Sequence, residues 1–321
     1  WARLQEQVET ARARRDERQH NQRAAEPLRQ LHRSKRLTQR HVDAEGAVAL
    51  RRVKRDRDVD TDRTDRRAIA CPHTDTDADA LRAHLHALNL PFTRENHQVF
   101  AQTAADKHWS HLNYLTELIG GETAARDDRR VQRLIKSARF PVLKTLDQFD
   151  WNWPTKINRP LIQNLFHLEF VANNANVVFI SGTGLGKSHL MTALGHAACL
   201  RGHSVLFTGA IDIINSLAAA QAAGSMKRAL SHYVKPQVLC IDELGYLPID
   251  KFGADCLFQI VSHRYERGAT LVTTNRIYKH WASIFDKDAV LTSALLDRLL
   301  HHAETVIIEG KSYRSKDQVE V

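Results

Sequence analysis

The sequence predicts an α/β fold: a parallel sheet flanked by helices, preceded by a small helical region and a basic segment of low complexity. Three observations carry this. From Asn176 onward, short apolar runs alternate with helical stretches, the pattern of strands buried on both faces. A glycine-rich turn joins the first of these runs to a helix. The texture of the 321 residues also changes near Thr76. Before it the chain holds 17 Arg and 2 Lys against 13 Asp or Glu, with 11 Leu, Ile or Val and no Phe or Tyr.

Residues 1–75 therefore carry +6 of the formal +9 charge with too little apolar surface to close a core. A nucleic-acid arm, a disordered segment without a dedicated role, and translated sequence upstream of the start all fit. The last reading rests on Trp1 at the beginning and a first methionine at Met191. For the whole chain, pI near 9.5 points to a polyanionic partner. No uncharged apolar stretch reaches bilayer length, and Trp1-Ala-Arg-Leu-Gln opens no secretory signal. The four cysteines form no C-x-x-C pair, which excludes a disulfide scaffold and fits a reducing cytoplasm.

A helical region is expected over 76–145. Thr76 or Asp77 can cap a helix through Leu81, Leu85 and Leu88, stopped by Asn89-Leu90-Pro91. A second helix is expected from Gln98 to Ile119, ended by Gly120-Gly121, and a third from Glu122 to Ala138. On the third, Arg126, Arg129, Arg130, Arg133 and Lys136 recur at helical spacing, either as phosphate contacts or as a solvated face. Residues 140–160, with Trp151, Trp153, Pro154 and Pro160, read as an ordered connector. The main domain is expected over 146–321.

In that domain Val177–Ile180 is a buried strand, Gly182, Gly184 and Gly186 form a turn, and a helix runs from Lys187 to about Leu200. Glycines let backbone N–H groups curl around phosphate oxygens, and the helix N-terminus adds positive potential. Lys187 would reach β- and γ-phosphates, and the Ser188 hydroxyl would ligate Mg²⁺. Ser181 stands where the loop pattern has its leading glycine, so the strand exit is the doubtful point. After helical Ile211–Ala223, a second apolar strand, Val238–Ile241, delivers Asp242 and Glu243 to its end. Asp242 there would sit beside the metal shell, and Glu243 could deprotonate a water. Helical Gly253–Arg267 precedes a third strand, Ala269–Thr274, which ends in Asn275-Arg276 facing the γ-phosphate. Cys199, Cys240 and Cys256 read as core residues, and His301-His302 as a helix end rather than a metal site.

With ISGTGLGKSHL, VLCIDELGYLPID, LVTTNR and SALLDRLLHH in this order, the chain resembles the IstB/DnaC-like group of AAA+ ATPases, and within it the IstB-like ATP-binding proteins of insertion sequences. KTLDQFDW (Lys144–Trp151) and GKSYR (Gly310–Arg314) extend the similarity. It implies that ATP is held by Gly182, Thr183, Gly184, Leu185, Gly186, Lys187, Ser188 and His189, with Arg314 as a sensor-2 residue. It implies Mg²⁺ on Ser188 and Asp242, Glu243 as the base, Asn275 as sensor 1, and Arg298 as a finger supplied to a neighbouring subunit. Arg298 also reads plainly as a helix-surface arginine. Phe149-Asp150-Trp151 resembles a linker beside the base, and also reads plainly as a core aromatic. The partners implied are duplex DNA, a transposase and further copies of the chain, with no membrane. A helicase loader and a DNA-binding protein that no longer hydrolyses ATP are the alternatives.

Overall fold

The computed structural model describes residues 75–313, all within one compact unit, Thr74–Val321. The readings made for residues 1–74 and for Arg314 lie outside the described residues.

Three helices lead the fold: α1 (Asp75–Ala87), α2 (Pro91–Asp106) and α3 (His111–Ala138). The second begins well before the expected Gln98, because Pro91 occupies its first turn, where a missing N–H is harmless, rather than ending the helix before it. It stops at Asp106, and Ser110 caps α3 by accepting from Asn113 N–H at 3.2 Å. Gly120-Gly121 is no terminator: α3 runs straight through it. Phe92 of α2 lies so close that a Cβ on Gly121 would sit 2.2 Å from its ring. The glycine lets two helices touch, at a propensity penalty of about 1 kcal/mol that packing offsets.

The basic row on α3 is partly consumed inside the fold. Glu122 is 2% exposed and accepts from Thr93 N–H at 3.0 Å, Arg126 Nε at 3.3 Å and Arg129 Nη2 at 3.1 Å. Burial raises its pKa, but the Thr93 bond and the two guanidinium groups outweigh that and hold it below the usual 4.5. Arg126 also reaches Asn89 O at 2.8 Å. Two of the five bases thus neutralise a buried acid, while Arg133 and Lys136 remain exposed.

After a short 3-10 turn at Leu146–Gln148, the order is β1 (Lys156–Ile157), α4 (Arg159–Leu165), α5 (Glu169–Ala172), β2 (Asn176–Ser181), α6 (Lys187–Leu200), β3 (Val205–Gly209), α7 (Ala210–Ala222), α8 (Met226–Val234), β4 (Val238–Leu244), α9 (Lys251–Arg264), β5 (Ala269–Thr274), α10 (Ala289–Leu300) and β6 (Ala303–Glu309). The sheet order is β1-β6-β2-β5-β4-β3. Only β1 is antiparallel, pairing Lys156 with Glu309 and Ile157 with Ile308. The connector over 140–160 therefore supplies an edge strand, and α8 is a helix the sequence reading did not include.

The apolar runs are explained by two cores, one on each face. Val177 and Phe179 of β2 pack with Leu190, Met191 and Leu194 of α6. Val178 and Ile180 point the other way, into Ile213, Leu217, Ile260 and Leu299. Alternate residues of β3 and β4 divide in the same way, which is why these strands have no polar side. Leu134, Ile135 and Ala138 of α3 join the α6 face, so the leading helices end against the sheet.

Arg264 closes the C-terminal end of α9. It is 2% exposed, and its guanidinium donates to the carbonyls of Tyr233, Val234, Pro236, Gln237 and Ala269 and to Thr270 Oγ1. Burial lowers its pKa to about 10, leaving it charged at neutral pH.

Candidate nucleotide site

The glycine loop leaves the C-terminal edge of β2 and enters α6. Gly184 (φ 75°) and Gly186 (φ 89°) lie in the left-handed region. Both are also crowded: a Cβ would sit 2.2 Å from Ser312 Oγ at Gly184 and 2.6 Å from Phe149 Cε2 at Gly186. Gly182 has neither demand, since its added Cβ would meet Leu185 at an ordinary 3.7 Å. Ser181 is the last residue of β2, buried, with no left-handed backbone, so the strand exit accepts a side chain there. Its oxygen has a use. Lys187 Nζ, 5% exposed, donates to Gly182 O at 2.7 Å, Ser181 O at 3.1 Å and Ser181 Oγ at 3.2 Å. The ammonium is thus curled inside its own loop. Thr183 is exposed at the tip, Leu185 buried beneath it.

Because β5 lies between β2 and β4, the ends of three strands converge on the loop. Ser188 Oγ, in the first turn of α6, donates to Asp242 Oδ1 at 2.9 Å. Thr273 Oγ1 donates to the same carboxylate oxygen. At this end β4 bulges against β5: Ile241 pairs with Val272, and pairing resumes at Leu244 with Thr274. Two residues, Asp242 and Glu243, face one, Thr273. Glu243 takes φ 60°, at a penalty of roughly 1–2 kcal/mol for a residue with a side chain, and its N–H donates to Thr273 Oγ1 at 3.0 Å. Asn275 follows β5; its Oδ1 is buried without a partner among the described residues.

The connector covers the helix start. His189 Nε2 lies 2.9 Å from Thr145 O, and the Phe149 ring meets His189 and Trp151 edge-on at 5.5 and 5.0 Å. The C-terminal segment covers the loop from the other side. Tyr313 N–H donates to Gly184 O at 2.9 Å, and the Trp153 indole donates to Lys311 O at 2.8 Å while meeting the Tyr313 ring. Between these walls is a cavity of about 460 Å³, lined by Lys144, Phe149 and Trp153 of the connector, Gly184–His189 of the loop, and Glu243, Tyr246 and Tyr313.

The structure thus lines the cavity with Gly184–His189 and Glu243 and bonds Asp242 to Ser188, while Gly182, Thr183, Asp242 and Asn275, the last just past the end of β5, are not among the lining residues. Arg298 is not among the cavity residues. It lies in α10, donates to Ala294 O at 3.1 Å and stacks over the Phe258 ring at 4.8 Å. Trp153, Tyr246 and Thr273 were not singled out for the site from sequence, and Thr273 gave no signal there, since threonine is an ordinary strand residue. His301 caps the end of α10, and His302 lies 3.6 Å from Glu266. The three cysteines described are buried. No helix among the described residues is long and apolar enough to cross a membrane.

A glycine loop entering a helix, with acids and a polar residue from the next two strands converging on it, defines a P-loop nucleotide-binding fold. Residues 83–321 match the model of the IstB-like ATP-binding proteins, and the chain belongs to that family. It is 35% identical over 238 residues to the protein named for ATP binding in insertion sequence IS5376 of Geobacillus stearothermophilus, covering 74% of this chain and 94% of that one. It is 38% identical over 208 residues to the corresponding protein of IS232 in Bacillus thuringiensis subsp. berliner, covering 65% and 83%. Among solved structures, the DnaC helicase loader aligns with a TM-score of 0.44 at 21% identity, over 51% of this chain and 96% of that one.

Proposed function

We propose that the chain is a cytoplasmic, Mg²⁺-dependent ATPase that assembles on duplex DNA as an ATP-dependent oligomer and assists an insertion-sequence transposase. The observation that carries this is the 2.9 Å bond between Ser188 and Asp242, which joins the start of the phosphate-loop helix to the acid pair of a strand two positions away. A hydroxyl and a carboxylate so close are hard oxygen donors suited to Mg²⁺, which takes few protein ligands and completes its shell with phosphate oxygens and water. Bound there, Mg²⁺ would neutralise charge on the β- and γ-phosphates.

The residues of the chain do the rest. Backbone N–H groups of Gly182–Ser188 and the α6 dipole receive the triphosphate. Lys187 exchanges its bonds to Ser181 and Gly182 carbonyls for phosphate oxygens. Glu243, re-aimed by the bulge toward the cavity, accepts the proton of the attacking water. Asn275 orients that water or the γ-phosphate, and its unpartnered buried oxygen favours a ligand. Phe149, Trp153 and Tyr313 give apolar walls for the base, and Arg314, the next residue in sequence, is read as the sensor-2 arginine. Arg298, outside the cavity of its own chain, serves a neighbouring subunit, so that hydrolysis depends on assembly. The exposed Arg133 and Lys136 contact DNA. The family membership, with relatives named for insertion sequences, supports transposition as the setting.

ATP turnover measured with and without duplex DNA tests the reading. Expected are DNA-stimulated phosphate release, loss of nucleotide binding in Lys187→Ala, and retained binding without turnover in Glu243→Gln. Ordinary ATP-dependent assembly by Lys187→Ala would overturn it.

A further inference from the structure

Resting on the ATPase reading above, we propose that Thr273 is a positioning residue for the acid pair: its hydroxyl holds Asp242 and Glu243 in the two different orientations that metal binding and water activation require. The argument begins with the bulge. In a regular ladder each strand N–H finds a carbonyl on the neighbouring strand. Here two residues of β4 face one of β5, so one residue's backbone loses its ladder partner. The N–H of Glu243 donates instead to Thr273 Oγ1 at 3.0 Å.

That bond fixes the polarity of the next one. An amide N–H can only donate and a carboxylate oxygen can only accept, so Thr273 Oγ1 accepts from Glu243 and gives its own proton to Asp242 Oδ1. Ser188 donates to the same oxygen at 2.9 Å, so the carboxylate is held at Oδ1 from both sides. One buried hydroxyl, on a residue with no exposed surface, is therefore bonded to the backbone of one acid and the side chain of the other. The other buried threonines of β5 do not share this position: Thr270 accepts from Arg264, and Thr274 accepts from Arg276 N–H. Remove the Thr273 hydroxyl, and Glu243 N–H is left unsatisfied in a left-handed backbone while Asp242 keeps only Ser188.

The experiment uses the full chain and its Thr273→Val, Thr273→Ser and Glu243→Gln variants. Binding of a fluorescent ATP analogue, ATP turnover with duplex DNA, and melting temperature are measured on each. Thr273→Val is expected to bind the analogue within about threefold of the parent. Its turnover is expected to fall roughly 10- to 100-fold, the usual effect of removing a partner that orients a metal ligand. Thr273→Ser, which restores the hydroxyl, is expected to recover most of that turnover. If valine overpacks the sheet and unfolds it, Thr273→Ala gives the same comparison. Parental turnover in Thr273→Val, with Glu243→Gln inactive, overturns the proposal. So does a proportional loss of binding and turnover accompanied by a lower melting temperature. Parental turnover in Glu243→Gln overturns the ATPase reading itself and removes the acid pair's role along with that of Thr273.

Discussion

The edge of the sheet around the glycine loop and the three leading helices are built on opposite terms. At the sheet edge, Lys187, Ser188, Asp242 and Thr273 all have named partners inside the fold, and the strands that carry Asp242 and Thr273 are sealed on both faces. On the helices, Leu112, Leu115 and Ile119 of α3 are 73%, 53% and 44% exposed, while a carboxylate, Glu122, is buried. The first region places polar atoms where chemistry needs them and closes its core with aliphatics. The second uses charge to hold its core together and leaves aliphatics outside.

The contrast can be broken first at Arg264. Its Leu variant would take a donor from five carbonyls in the sheet region, of which Gln237 O keeps the Ala269 N–H, and each carbonyl left without a partner costs about 1–3 kcal/mol. Urea unfolding should show a loss of roughly 4 kcal/mol or more, or no folded protein. A loss near 1 kcal/mol would mean that the sheet tolerates loose ends as the helices do. Next in size, Gly186→Ala should weaken ATP-analogue binding roughly 10- to 100-fold, because a Cβ meets Phe149 in a left-handed backbone. Gly182→Ala, whose Cβ would make only an ordinary contact with Leu185, should stay within about threefold.

Glu122→Gln sharpens the other side. The carboxyl's folded pKa lies below 4.5, so its stabilisation is fully present above that pH and is lost as pH falls through the folded value. Thermal unfolding at pH 7 should show the variant less stable by about 1–2 kcal/mol, with the gap narrowing below about pH 4.5. A constant gap would assign the effect to packing. Smallest in stability, Arg133→Ala should leave unfolding within about 0.5 kcal/mol. It should lower the salt dependence of duplex DNA binding by about one unit of slope. Arg126→Ala should do the reverse, since Arg126 is bonded to Glu122 and Asn89.

The legibility of the two regions follows from the same contrast. Strands β2 and β5 could be read from sequence almost to their ends, because a strand buried on both faces must be apolar throughout and stops where its chain turns polar. The glycine loop and acid pair were legible because φ above zero at Gly184 and Gly186, and a carboxylate at a strand's end, are local demands on residue type. Helices α2 and α3 were misdivided because Gly120-Gly121 reads as a stop locally, and only the ring of Phe92, about thirty positions earlier in the chain, makes it a contact. Helix α8, with Ser225 before it and only Tyr233 buried, had too short an apolar stripe to be seen.

By itself, then, the sequence determined where three of the six sheet strands run (β2, β4 and β5), where phosphate would be held, and which family the chain resembles. Each of these is written in residues adjacent along the chain. Tertiary structure alone decided that Thr273 would stand opposite a bulge, that Ser181 would serve where a glycine was expected, that two basic residues would be turned inward onto Glu122, and that residues 311–313 would close over the loop. Those outcomes join residues far apart in sequence. Burial sets their energies, because a hydroxyl, an ammonium or a carboxylate takes its role from whichever partner the packing brings within bonding distance.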